Sequence, residues 1–121
     1  MRSVLIVEDQ LEIRELIRIT LEFDNYKIEE AATGPEGLAK AFDMKPDLML
    51  LDVMMPGGMD GVEVCKRVRA NPALRKTKII MLSAKSQATD RAAGKTAGAD
   101  EYLTKPFSPL ELAEVIQRVL R

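Results

Sequence analysis

Residues 48–52 read Leu48-Met49-Leu50-Leu51-Asp52. Four apolar side chains without polar alternation suit a strand covered on both faces, the condition of a parallel sheet packed between helices. The acid at the end of the run is not core material. Two further runs have the same form. Val4-Leu5-Ile6-Val7 leads into Glu8 and Asp9, and Ile79-Ile80-Met81-Leu82 leads into Ser83. Weaker strand signals lie at residues 27–32 and 100–104, the second passing through Tyr102 and Leu103 to Thr104, Lys105 and Pro106.

Between these runs the hydrophobic period becomes helical. Ile13, Leu16, Ile17, Thr20 and Leu21 form one stripe, which leaves Glu12, Arg14, Glu15, Arg18 and Glu22 expected to face water. Leu112, Val115, Ile116, Val119 and Leu120 form another. Thr33, Asp60 and Ser108 each stand three residues before a Glu, the signature of a capped helix start, and Pro109 fits the first helical position. Cys65 falls on an inward stripe with Gly61, Val64 and Val68 and reads as a core thiol. A fourth helix is expected at about 88–97. It is mostly Ala with Gly94 inside, so it should be the least anchored element. Five βα units in this order predict an α/β fold with a doubly wound parallel sheet, whose ligands bind beyond the carboxyl ends of the strands.

Composition narrows the function. A chain of 121 residues with 46% hydrophobic and 31% charged residues suits one globular domain. The net charge of -1 argues against a dedicated binder of nucleic acid or anionic membrane. A single Cys leaves no disulfide framework, and the absence of His excludes histidine-based zinc sites and Ser-His-Asp triads. No apolar run nears the roughly 18 residues of a membrane span, and the N-terminus does not read as a secretion signal. A reducing, cytoplasmic setting is the expectation.

The residues that end the runs are expected to share one rim of the sheet. Glu8, Asp9 and Asp52 would then meet Ser83 and Lys105. Two carboxylates about 4 Å apart repel by roughly 4 kcal/mol at an effective dielectric near 20. Such a cluster calls for a cation, and all-oxygen ligation selects Mg²⁺ or Mn²⁺. Cation, ammonium and hydroxyl together are the parts phosphoryl transfer requires, and Asp is a known nucleophile that forms an aspartyl phosphate.

Glu8-Asp9, then Asp52-Val53-Met54-Met55-Pro56 with Met59-Asp60-Gly61, then Ser83-Ala84, then Lys105-Pro106-Phe107, resemble a bacterial response-regulator receiver domain of the CheY type over essentially the whole chain. The resemblance implies a flavodoxin-like (βα)5 fold of strand order 2-1-3-4-5 over residues 1–121, with no output domain in the chain. It implies Asp52 as phosphoacceptor and Glu8, Asp9, Asp52 and the backbone carbonyl of Met54 as the Mg²⁺ site. It implies that Lys105 bridges to the phosphoryl group and precedes a cis bond to Pro106, and that Ser83 and Tyr102 form a switch. The implied activity is a phosphorylation-dependent switch rather than an enzyme, limited to self-phosphorylation and slow self-dephosphorylation. The implied partners are a histidine kinase or phosphotransfer protein and a downstream protein. They are read through a face made by the fourth helix, fifth strand and last helix, in a monomer or a phosphorylation-dependent dimer without direct DNA contact. Gly57-Gly58 depart from the family, which usually has one residue there. Lys85 is a further candidate, for influence on phosphoryl lifetime. Two other readings are a phosphorylation-independent pseudo-receiver, against which the intact acidic set counts, and an Mg²⁺-dependent phosphatase. The phosphatase would need an acid two residues after Asp52, where Met54 stands.

Overall fold

A computed structural model describes residues 2–84, 92 and 95–121. Five strands, β1 (Arg2–Val7), β2 (Tyr26–Ala31), β3 (Leu48–Asp52), β4 (Lys78–Ala84) and β5 (Glu101–Lys105), form one sheet of order β2-β1-β3-β4-β5. All four pairings are parallel. This is the doubly wound parallel sheet that the alternating runs predict, in the flavodoxin-like strand order that the resemblance implies. The helices described are α1 (Leu11–Glu22), α2 (Gly34–Met44), α3 (Gly61–Ala70) and a C-terminal helix, Pro109–Leu120. Most of the helix expected at 88–97, Gly94 included, lies outside the described residues, as does Lys85.

Strand alternation divides the core in two. Leu5, Val7, Met49, Leu51, Ile79 and Met81 meet α2 and α3 through Leu38, Ala41, Val64, Cys65 and Val68. Val4, Ile6, Leu48, Leu50, Ile80 and Leu82 meet α1 and the C-terminal helix through Ile17, Leu21, Leu112, Val115 and Ile116. Each strand run therefore has to be apolar at every position, because both faces are covered. Cys65 is fully buried in the first of these layers, as its stripe indicated.

Thr33, Asp60 and Ser108 cap their helices by accepting from the backbone N–H groups of Glu36, Glu63 and Glu111. Only the Ser108–Glu111 pair closes the reciprocal capping box. The Glu36 carboxylate accepts from the Ala32 N–H instead, and that of Glu63 pairs with Arg67 one turn on. One expectation needs correction. Arg14 is not a water-facing residue of α1: its side chain is only 17% exposed and folds back over the β1–α1 loop. Tyr102 is half-buried against the α2–α3 layer. Its neighbour Leu103 takes the other face, as strand alternation requires.

Candidate functional site

The carboxyl ends of β1, β3, β4 and β5 bring together the residues singled out above. Asp52 is the last residue of β3 and lies level with Leu82 of β4. Lys105 ends β5 level with Ala84, followed by a cis bond to Pro106. Glu8 leaves β1 with its N–H donating to the Ala31 carbonyl at 3.0 Å, a continuation of the β1–β2 ladder that turns its side chain inward.

Lys105 is the hub. Its Nζ lies 2.7 Å from Glu8 Oε1 and 3.1 Å from Asp52 Oδ1. Glu8 is fully buried and Asp52 nearly so, whereas Asp9 is exposed at the rim. One oxygen from each of Glu8, Asp9 and Asp52 falls within 4.8 Å of the others. A cleft of about 220 Å³, lined by Asp9, Gln10, Asp52, Met54, Ala84 and Lys105, opens on this cluster.

The electrostatics show what the cluster lacks. Burial, and then the Glu8 carboxylate, push the Asp52 carboxyl up to about 8 despite the opposing pull of Lys105. Burial would raise Asp9 too, but hydrogen bonding with the Asp52 and Glu8 carboxyls outweighs it and holds Asp9 below its ordinary value. Burial disfavours the Lys105 ammonium. The hydrogen bond to Glu8 and the charge of Asp52 outweigh that and hold its pKa above the ordinary value. Lys105 therefore stays cationic, and the cluster still keeps a proton on Asp52 at neutral pH. One ammonium is not enough positive charge for the acids around it. The donors are all hard oxygens, close enough together to suit a small divalent cation.

The other candidates sit around this centre. Ser83 is buried on β4 and pairs with Thr104. Met81 pairs with Tyr102, so register puts Ser83 and Tyr102 on the same face of the sheet, one step apart on neighbouring strands. Met54 is 65% exposed and borders the Asp52 cleft. It also borders a wider hollow with Met55, Gly58, Met59, Asp60 and Glu63. Gly57 and Gly58 both have positive φ, 94° and 84°, with open space where a side chain would stand. The extra residue is thus taken up in a turn that only glycine adopts cheaply, and neither glycine lines the Asp52 cleft.

Two contributors were not legible beforehand. A Cβ on Gly61 would stand 2.0 Å from the Asp52 carbonyl oxygen, so α3 starts hard against the backbone of Asp52. The Asp60-Gly61 step at a helix start hinted at a cap, not at this contact. Arg14 is the other, and it is taken up below.

A family profile described as the response regulator receiver domain matches residues 4–117. The chain belongs to that family. ResD, a transcriptional regulatory protein of Bacillus subtilis, is 47% identical over 119 residues, which cover 98% of this chain and 48% of ResD. The phosphate regulon regulator PhoB of Pseudomonas aeruginosa is 42% identical over 99% of this chain and 52% of its own. This receiver domain spans about half the length of the curated relatives it matches. The solved structure of the chemotaxis response regulator CheY4 of Vibrio cholerae superposes with a TM-score of 0.92 at 40% identity, covering 99% of each chain. No helix among the described residues of the receiver domain is long and apolar enough to cross a membrane.

Proposed function

We propose that this receiver domain is a phosphorylation-dependent switch of a two-component or phosphorelay system. In this reading Asp52 takes a phosphoryl group from a phosphohistidine on a kinase or phosphotransfer protein. The observation that carries the reading is a near-buried carboxylate, Asp52, at the foot of an open cleft. It is held 3.1 Å from a lysine and shares an acidic cluster of oxygens within 4.8 Å.

Lys105 engages Oδ1, which leaves the second oxygen of Asp52 for the incoming phosphorus. As the new P–O bond forms, the P–N bond to the donor imidazole breaks and its electron pair returns to the ring nitrogen. Lys105 stays charged throughout and can follow the transferred phosphoryl oxygens, because it lines the cleft together with Asp52. Glu8, Asp9, Asp52 and the carbonyl of Met54 are assigned as the residues that would hold Mg²⁺. When bound, the cation supplies the missing positive charge, favours the carboxylate form of Asp52 and stabilises charge on the transferring group.

The product adds about -1.5 to -2 charge where a carboxylate stood. Ser83 is assigned as the hydroxyl that donates to it. Tyr102, on the same face of the neighbouring strand, is assigned as the side chain that moves into the space Ser83 leaves. The outcome is a population shift between two surfaces, read by a downstream protein in the cytoplasm. Turnover is confined to gain and slow loss of the protein's own phosphoryl group. The DNA-regulating names of the longer relatives suggest a similar output in a protein that carries this domain.

Borohydride reduction tests the assignment of the acceptor. An aspartyl phosphate is reduced to homoserine, whereas a free carboxylate is inert. After treatment with Mg²⁺ and acetyl phosphate, peptide mapping should find homoserine at position 52 alone. Homoserine at another acid, or at none, contradicts the reading.

A further inference from the structure

We propose that Arg14 is a positioning residue for the cation site: it fixes the backbone of the β1–α1 loop so that Glu8 and Asp9 present their carboxylates together. The proposal rests on the Mg²⁺ reading above and concerns a residue outside the acidic cluster.

The loop that carries the two acids is short and poorly tied. The N-cap of α1 is Gln10, whose side chain makes no capping bond. The Gln10 N–H donates to Glu8 Oε2 at 3.1 Å, so even this contact draws on a carboxylate of the cluster. The Glu8 N–H continues the sheet, but past this point the loop leaves β2. Arg14 fills the gap. One of its terminal nitrogens, Nη1, donates to the Glu8 carbonyl at 2.8 Å and lies 3.5 Å from that of Asp9.

Arg14 is itself held on the side away from the cluster. Its Nε donates to Glu30 Oε1 at 3.2 Å. Glu30 is on β2, where the Lys40 ammonium from α2 donates to its backbone carbonyl. The chain of contacts thus runs from α2 and β2 through one guanidinium to the peptide that links the two acids. A planar fork that engages a carboxylate on one side and a carbonyl on the other fixes an orientation that a point charge cannot. Its pairing with Glu30 also offsets the repulsion between Arg14 and an incoming cation. Groups that orient metal ligands from behind typically change metal affinity 10- to 100-fold when removed.

Arg18 provides the control. It also pairs with Glu30, and its removal deletes the same charge from the same helix, but it makes no contact with the loop among the described interactions. The experiment is calorimetric titration of the protein with MgCl₂ alone, with no phosphodonor, on wild type, Arg14→Met, Arg14→Lys and Arg18→Met. Urea denaturation in chelator runs alongside. Arg14→Met should weaken Mg²⁺ binding at least tenfold, and Arg14→Lys by an intermediate factor. Arg18→Met should bind within about twofold of wild type, since exposed pairs contribute little. If Arg14→Met loses stability in urea but binds Mg²⁺ as wild type does, Arg14 is only a structural residue and the proposal fails. An equal loss in Arg18→Met would assign the effect to charge and also overturn it. Should Arg14→Met not fold, an Arg14→Lys variant that folds with wild-type affinity overturns it equally. A wild type that shows no Mg²⁺ binding would instead bring down the cation reading itself, and this proposal with it.

Discussion

Asp52→Asn should make the metal-free protein more stable, even though it removes the proposed acceptor. The charges around Asp52 come close to cancelling. Glu8 and Asp9 each have an oxygen within 4.8 Å, so each repels an ionised Asp52 by about 3.5 kcal/mol or more at an effective dielectric near 20, with the share of exposed Asp9 cut by solvent. Lys105 at 3.1 Å returns about 5 kcal/mol on the same scale. What is left is the cost of taking the Asp52 carboxylate out of water, several kcal/mol for a buried ion. Asn has the same shape, can still accept from Lys105 and carries no charge, so it should recover about 2 kcal/mol of that cost.

The sign with pH is definite. The folded protein raises Asp52 from its ordinary 3.8 to about 8. Below 3.8 the group is protonated folded or unfolded and costs nothing. As pH rises towards 8 the unfolded chain releases the proton that the folded one retains, so wild type loses stability over that window. Asn has no such loss. Urea denaturation in excess chelator, followed by far-UV circular dichroism at pH 5 and pH 8.5, should show a gain for Asp52→Asn that is larger at pH 8.5. A variant no more stable than wild type at pH 8.5, or a gain equal at both values, would refute the reasoning.

Three other outcomes are expected. Lys105→Met leaves the fully buried Glu8 carboxylate without the ammonium 2.7 Å away and should cost about 3 kcal/mol near neutral pH in the same urea assay. Gly61→Ala forces a Cβ to within 2.0 Å of the Asp52 carbonyl oxygen; a shift of α3 should cost about 2 kcal/mol or more in thermal melts and slow adduct formation as well. Burial pushes the Cys65 thiol up to about 11, so a disulfide reagent at pH 8 should label native protein far more slowly than protein in urea.

Much of this architecture is legible in the sequence because a parallel sheet leaves little choice. Residues 4–7, 48–51 and 79–82 must be apolar on both faces, and the change to polar residues marks where each strand leaves the core. Capping residues are equally visible, because Thr33, Asp60 and Ser108 act on backbone only three residues away. Contacts between distant elements are not visible in this way. Helical period places Arg14 on the outer side of α1, but it does not say where a long side chain takes its guanidinium. Strand alternation assigns Tyr102 and Leu103 to opposite faces without saying which helix covers which face. Gly61 looks like a helix-start residue until the backbone of Asp52 is seen against it. The acidic cluster could be read because each of its members ends a strand or follows one within two residues. Its supporting residues could not, because they reach it through space.

The central claim is that Asp52 accepts a phosphoryl group with the help of a divalent cation. Intact mass after incubation with Mg²⁺ and acetyl phosphate tests it most directly, on wild type and Asp52→Asn, each with and without excess chelator. The account predicts a single phosphoryl adduct on wild type alone, abolished by chelator. An adduct on folded Asp52→Asn, or none on folded wild type with Mg²⁺ present, would contradict it.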